Sequence, residues 1–235
     1  MRISGESVVG EIVKENFKTA QVFERRKIDF CCGGDITLKS VCAKSKIDLE
    51  NLVEELQLAM VIEDPDSIYF NTISLPELCN YIEKRHHTYV RSTAPFLQQK
   101  LQKLCEVHGS NHPELFAIQD EFNEAVSNLM AHMEDEEKVL FPVCRELESL
   151  ETDKDTGQRM LNSIAQMKSE HDTEGDRFKR ISVLSNNYTC PPDGCNTFRV
   201  TFQTLKDFED DLHRHIHLEN NILFIKTSEI IKTKE

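Results

Sequence analysis

The chain has 235 residues, 39% of them hydrophobic and 29% charged, enough to bury one or two cores. Its 28 basic and 41 acidic residues give a net charge of -13, which repels phosphate backbones and argues against nucleic-acid binding. No apolar run is long enough to span a bilayer, and the opening Met-Arg-Ile-Ser-Gly-Glu-Ser lacks the apolar core of a signal peptide, so a cytoplasmic location is expected.

Residues 6–30 and 48–62 read as short helices flanking a turn at Cys31-Cys32-Gly33-Gly34. The polar segment Glu63-Asp64-Pro65-Asp66-Ser67 reads as a linker, so residues 1–65 are expected to form a small helical domain and 66–235 a second one.

Four long helical patterns follow. The first opens on Ser74-Leu-Pro76-Glu77, with Ser74 as N-cap and Glu77 as its reciprocal partner, and runs to about Val107. The second runs from near Pro113 to about Leu150, the third from Thr156 to Asn186, and the fourth from Thr197 to Ile231. Helices of some thirty residues are rods of ~45 Å. Short connections make neighbours antiparallel, so an all-α, up-down-up-down four-helix bundle is expected.

Two of these helices carry one pattern. His132 and Glu136 precede Leu140-Phe141, and His215 and Glu219 precede Leu223-Phe224, with the same spacing. Residues i and i+4 share a helix face. On the second helix Ala125, Leu129, His132, Glu136, Val139 and Val143 form one apolar seam; on the fourth, Phe208, Leu212, His215, Glu219 and Ile222 do. His171 shares a face with Ile164, Met167 and Phe178, and His87 with Val90, Ala94 and Leu101. Four His and two Glu would therefore meet in the bundle centre. Buried carboxylates need a counter-charge, which two cations would supply, each bound by two His with both carboxylates bridging. Imidazole and carboxylate without thiolate suit iron, with manganese and zinc also compatible.

The remaining histidines are expected elsewhere. His213 and His217 lie ~200° around the helix from His215 and should face solvent. His86 should leave the seam, and His108 and His112 fall in the loop after the first helix. Glu170 is placed to orient His171, or is simply an exposed residue.

Together these motifs resemble the repair-of-iron-centres family, the iron–sulfur cluster repair di-iron proteins of the hemerythrin-like class. The resemblance covers essentially the whole chain and rests on Asp29-Phe30-Cys31-Cys32-Gly33-Gly34, His86-His87-Thr-Tyr-Val, His132-Met-Glu-Asp-Glu136-Glu-Lys-Val-Leu-Phe-Pro142, Ser169-Glu170-His171-Asp172 and His215-Ile-His-Leu-Glu219-Asn220-Asn221. The chain departs from the family's Leu-Phe-Pro ending, since Ile225 follows Phe224. The resemblance implies a non-haem di-iron centre, with or without an oxo or hydroxo bridge between the irons, with His87, His132, Glu136, His171, His215 and Glu219 as ligands. It implies a stress-response protein that repairs iron–sulfur clusters damaged by nitric oxide or peroxide, with damaged iron–sulfur proteins as partners. Three other readings stay open: a redox enzyme that reduces nitric oxide or peroxide, a sensor or carrier of a diatomic ligand, and a structural zinc bundle. A homodimer is compatible with all of them.

Cys31 and Cys32 adjoin a Gly-Gly turn that permits close approach of a partner. A helix starting after the turn would favour their thiolates. They are read as handling iron, nitrosyl groups or electrons between the centre and its client. Cys42, Cys79, Cys105, Cys144, Cys190 and Cys195 show no ligand spacing.

Overall fold

The computed structural model describes residues 2–147 and 154–234. Five short helices come first: α1 (Val9–Glu15), α2 (Ala20–Arg25), α3 (Leu38–Ser45), α4 (Leu49–Met60) and α5 (Pro65–Thr72). Local chemistry fixes their ends. Thr37 caps α3 through Ser40 N–H, and Asp48 caps α4 through Asn51 N–H. The segment read as a linker is ordered instead, because its polar groups have buried work to do. Asp64 and Ser67, both buried, accept hydrogen bonds from the Phe17 N–H at 2.9 Å, and Asn16 donates to the Ile62 carbonyl at 2.7 Å.

The four long helices occur where the periodicity predicts them. The first joins α6 (Leu75–Ile82) to α7 (Thr88–His108). It starts with the expected capping box, in which Glu77 accepts the Ser74 N–H at 3.1 Å. The second joins α8 (Glu114–Asp135) to α9 (Phe141–Glu146); Leu150, its expected end, lies outside the described residues. The third is α10 (Lys154–Leu184), and the fourth joins α11 (Asn196–Leu218) to α12 (Phe224–Lys234).

Three of the four change pitch midway. Glu83–His87, Glu136–Leu140 and Glu219–Leu223 are single π-helical turns. A π turn inserts one residue and is frequent at functional sites. The insertion shifts every later side chain around the axis. Val139, which an unbroken α-helix would keep in the seam, is 58% exposed, while Leu140, Phe141 and Cys144 are buried. Past Glu136 the expected seam of Val139 and Val143 is thus replaced by Leu140 and Cys144.

The apolar interior consists of two clusters. One holds Leu97, Phe122, Phe178 and Phe208, and extends without a break to Ile12, Phe23 and Leu52 of the first five helices and to Phe30 of the cysteine turn. The other, at the far end of the bundle, holds Leu78, Phe141, Met167, Leu223 and Phe224. Each fully buried Phe or Leu contributes ~1.5–3 kcal/mol. Among the described residues no helix is long and apolar enough to cross a membrane.

Candidate metal centre

Between the two apolar clusters lies a polar layer. His87, Glu136, His171, His215 and Glu219 are at most 3% exposed, and His132 is 6% exposed. The π turns bear on this layer directly: His87 ends one, and Glu136 and Glu219 begin the other two.

The donor atoms fall into two groups, each within 4.8 Å: His87, Glu136, His215 and Glu219, and His132, Glu136, His171 and Glu219. Both carboxylates belong to both groups. Glu136 turns Oε2 toward His87 Nε2 at 3.4 Å and Oε1 toward His132 Nε2 at 3.4 Å. Glu219 turns Oε1 toward His215 Nε2 at 2.7 Å and Oε2 toward His171 Nε2 at 3.2 Å. All four imidazoles aim Nε2 inward.

Three of the four outer nitrogens are held from behind, and His215 Nδ1 has no partner. His87 Nδ1–H donates to Glu137 at 2.7 Å, and Arg91 grips the same carboxylate at 2.8 and 3.0 Å. His132 Nδ1–H donates to Glu170 at 2.6 Å. The sequence pairs Glu170 with His171; the structure pairs it with His132, across the groove between the second and third helices. Asn220 holds His171 instead. Its amide donates to the Cys31 carbonyl at 2.9 Å, so its oxygen faces His171 Nδ1 at 2.9 Å and fixes that nitrogen as the donor.

This network makes the layer fit cations. With both Nδ1 atoms acting as donors, the Nε2 lone pairs of His132 and His171 face each other at 2.9 Å. Two acceptors that close repel unless a proton or metal ion lies between them. Both Glu136 oxygens, His87 Nε2, His215 Nδ1 and Glu219 Oε2 are buried with no hydrogen-bond partner, a costly state that ligation of the inward-facing atoms relieves. The electrostatics agree. Burial raises the Glu136 carboxyl, as does Glu219, but His132 and His87 outweigh them and hold it low. Burial likewise opposes ionisation of Glu219, yet His215 and His171 bring it well below the usual carboxylate range. Burial lowers His132, but Glu136, Glu219 and Glu170 prevail and raise it to about 10. A cavity of about 320 Å³ reaches His132 and His171 from the surface, past Asp135 and Glu170.

Three other histidines depart from expectation. His86 is 1% exposed, bonded through Nδ1 to Asp211 at 3.0 Å and stacked on His215 at 5.4 Å. His217 is 2% exposed and His213 only partly so. The first five helices cover that flank: Phe17 meets His217 at 5.2 Å, and Phe30 meets His213 at 6.0 Å. Burial lowers His213 to about 4 and His217 to about 3, so both are neutral side chains at a packed interface. His108 and His112 are half-buried at the loop, beside Cys195 and Asp193.

The Cys31-Cys32 turn lies directly against this layer. Cys32 Sγ is 3.3 Å from the His171 carbonyl, and Asn221 donates to the Phe30 carbonyl at 3.2 Å. The next helix does not activate the thiols, because α3 starts at Leu38, beyond the turn. Cys31 is instead raised well above the ordinary thiol range by its hydrogen bond to Cys32, by burial and by Asp29. Cys42, Cys79, Cys105 and Cys144 are buried; Cys190 and Cys195 are free thiols nearer the surface.

The sequence matches two known domains: a domain of unknown function over residues 5–60, and the hemerythrin HHE cation-binding domain over residues 80–226. It is 31% identical to the iron–sulfur cluster repair protein ScdA of Staphylococcus haemolyticus, over 96% of this chain and 100% of that protein. It is 30% identical to the iron–sulfur cluster repair protein YtfE of Citrobacter koseri, over 92% of this chain and 94% of that protein. The Escherichia coli YtfE of strain UMN026 matches to the same extent.

Proposed function

As this chain belongs to the hemerythrin-like iron–sulfur cluster repair family, we propose that it restores iron–sulfur clusters damaged by nitric oxide or peroxide, supplying iron from a dinuclear non-haem centre. The ligands are His87 and His215 for one iron and His132 and His171 for the other, with Glu136 and Glu219 bridging. The observation that carries this reading is the pair of carboxylates shared between two four-residue donor groups in a buried layer. Iron brings Lewis acidity and one-electron chemistry to such a site, and an oxo or hydroxo bridge would complete it.

The protein's own residues favour release from one side. The His87 half is closed in by stacking on Phe141 at 5.7 Å and by the Arg91–Glu137 pair. The His132–His171 half borders the 320 Å³ cavity, and the Glu170 side chain behind His132 is 38% exposed. Protonation of Glu170, or its capture by a client's cation, loosens the imidazole and lets that iron leave first. Cys32, against the His171 backbone, and Cys31, held by Asn220, are the groups through which iron passes to the damaged cluster. Residues 1–65 then act as the delivery unit and 66–235 as the reservoir.

The test is anaerobic. Iron-loaded protein is mixed with an iron–sulfur dehydratase inactivated by nitric oxide, and recovered activity is followed with the iron left on the donor. Recovery matched by iron loss supports delivery. Absence of both, with nitric oxide consumed under added reductant, overturns delivery in favour of a di-iron redox enzyme.

A further inference from the structure

Asp29, Cys31 and Cys32 are three donors whose ligand atoms all lie within 4.8 Å of one another, apart from the six residues of the bundle layer. The two sulfurs are 3.6 Å apart, and Cys31 Sγ is 3.6 Å from Asp29 Oδ1. A tetrahedral site with metal–sulfur bonds of ~2.3 Å and a metal–oxygen bond of ~2.1 Å has S···S edges of ~3.7 Å and S···O edges of ~3.6 Å. The spacing therefore already matches two edges of a coordination tetrahedron.

We propose that Asp29, Cys31 and Cys32 form a separate mononuclear site for a thiophilic divalent cation, ferrous iron or zinc. Two thiolates and one carboxylate select such ions over magnesium, calcium or manganese. Binding replaces two S–H bonds by two metal–sulfur bonds and releases two protons; Asp29 contributes as an anion without proton loss. Lys179 holds its outer oxygen, Oδ2, at 2.8 Å and leaves Oδ1 toward the sulfurs. The turn is rigid: Oδ1 accepts the N–H groups of Cys31 at 3.2 Å and Cys32 at 2.9 Å. Three donors leave a fourth position open. A cavity of about 360 Å³, lined by Asp29, Phe30 and Cys31 among others, gives access to it from solvent. Cys32, on the opposite side, touches the backbone of His171. The site thus stands between solvent and the bundle layer, where an ion in transit needs a stop. That use rests on the function proposed above; the site itself does not.

Cobalt(II) is the probe. It is titrated anaerobically into the reduced full-length protein, and bound cobalt and near-ultraviolet thiolate-to-cobalt absorption are measured together. The bundle layer holds no sulfur donor and gives no such band. The expected result is a charge-transfer band that disappears in the double variant Cys31→Ser/Cys32→Ser, with one cobalt fewer per chain and unchanged helical circular dichroism. Asp29→Asn keeps an oxygen for the two N–H groups and so keeps the turn, but should weaken binding by more than the roughly tenfold that loss of an outer-shell partner costs. No band in the wild type, a band that survives the double substitution, or unchanged affinity in Asp29→Asn would each overturn the site. His132→Ala, which disables the bundle layer, should leave the band intact, and a failure of cluster repair has no bearing on it.

Discussion

Asn220 and Asn221 are adjacent, both buried and both bonded to the cysteine turn, yet replacing them should have different consequences. Asn220→Ala removes two hydrogen bonds of 2.9 Å and strands His171 Nδ1–H and the Cys31 carbonyl in the interior. Asn221→Ala strands the Phe30 carbonyl and His217 Nδ1, which its amide meets at 3.2 and 3.0 Å. A stranded buried group costs ~1–3 kcal/mol, so each variant, which strands two, should lose about 2–6 kcal/mol of stability in the metal-free protein. Urea unfolding measures this, as a lower midpoint with an unchanged slope. Metal affinity separates the two. Losing the partner that orients a metal-binding imidazole typically costs 10–100-fold, or about 1.4–2.7 kcal/mol. Asn220→Ala should pay that penalty at the donor group that contains His171; Asn221→Ala should not, because His217 is outside both donor groups. Competition titration with a chromophoric chelator provides the measurement. Equal weakening in both variants, or none in Asn220→Ala, would refute the role given to Asn220 and with it the assignment of His171.

Three further outcomes are expected. Val139→Lys should stay within ~0.5 kcal/mol of wild type while Leu140→Ala costs ~2–5 kcal/mol in thermal or urea unfolding; the reverse ranking would mean that the π turn at Glu136 does not exist. Gly34→Ala would put a methyl 2.5 Å from the Phe30 carbonyl oxygen and 3.2 Å from Gly10 Cα. It should cost ~1–3 kcal/mol and speed alkylation of Cys32, which mass spectrometry follows. Burial, with help from Asp210, raises Glu209 from 4.5 to about 7, so its contribution to stability is present below pH 4.5 and lost as pH rises through about 7. Glu209→Gln should therefore raise stability at pH 8, by ~2–3 kcal/mol, and change it little at pH 5; equal effects at both pH values would sink this assignment.

The bundle was legible because its signals are periodic. His132, Glu136, His215 and Glu219 follow one spacing in two helices, and His87 and His171 sit on apolar faces, so pattern alone selected the six residues that converge. What periodicity assumes, it cannot detect: a constant 3.6 residues per turn misplaces Val139 and misses the three π turns. Tertiary partners were equally invisible. His217 and His213 were expected in water because an isolated helix has only one buried face; the cover supplied by Phe17 and Phe30 comes from some 190 residues away in sequence. Asn220 and Asn221 close the last family motif, but nothing in the sequence shows that they bond to the turn at Phe30 and Cys31. Glu170 was left open between orienting His171 and simple exposure, and its partner proves to be His132, the imidazole beside it in space rather than in sequence.

The division of the interior into two apolar clusters has a consequence for how the protein comes apart. An uninterrupted greasy spine lets a bundle melt in one step, since every layer recruits the next. Here the far-end cluster of Leu78, Phe141, Met167 and Phe224 meets the main one across a stratum of ionisable groups. Without cations that stratum is a cleavage plane, held by shared protons and His–Glu contacts that water replaces readily. With cations it becomes a rivet through all four long helices and the start of the cysteine turn's support. Occupancy therefore sets the cooperative length of the fold: a loaded bundle opens as one body, while an emptied one loosens first at the far end, leaving the half that carries the cysteine turn folded.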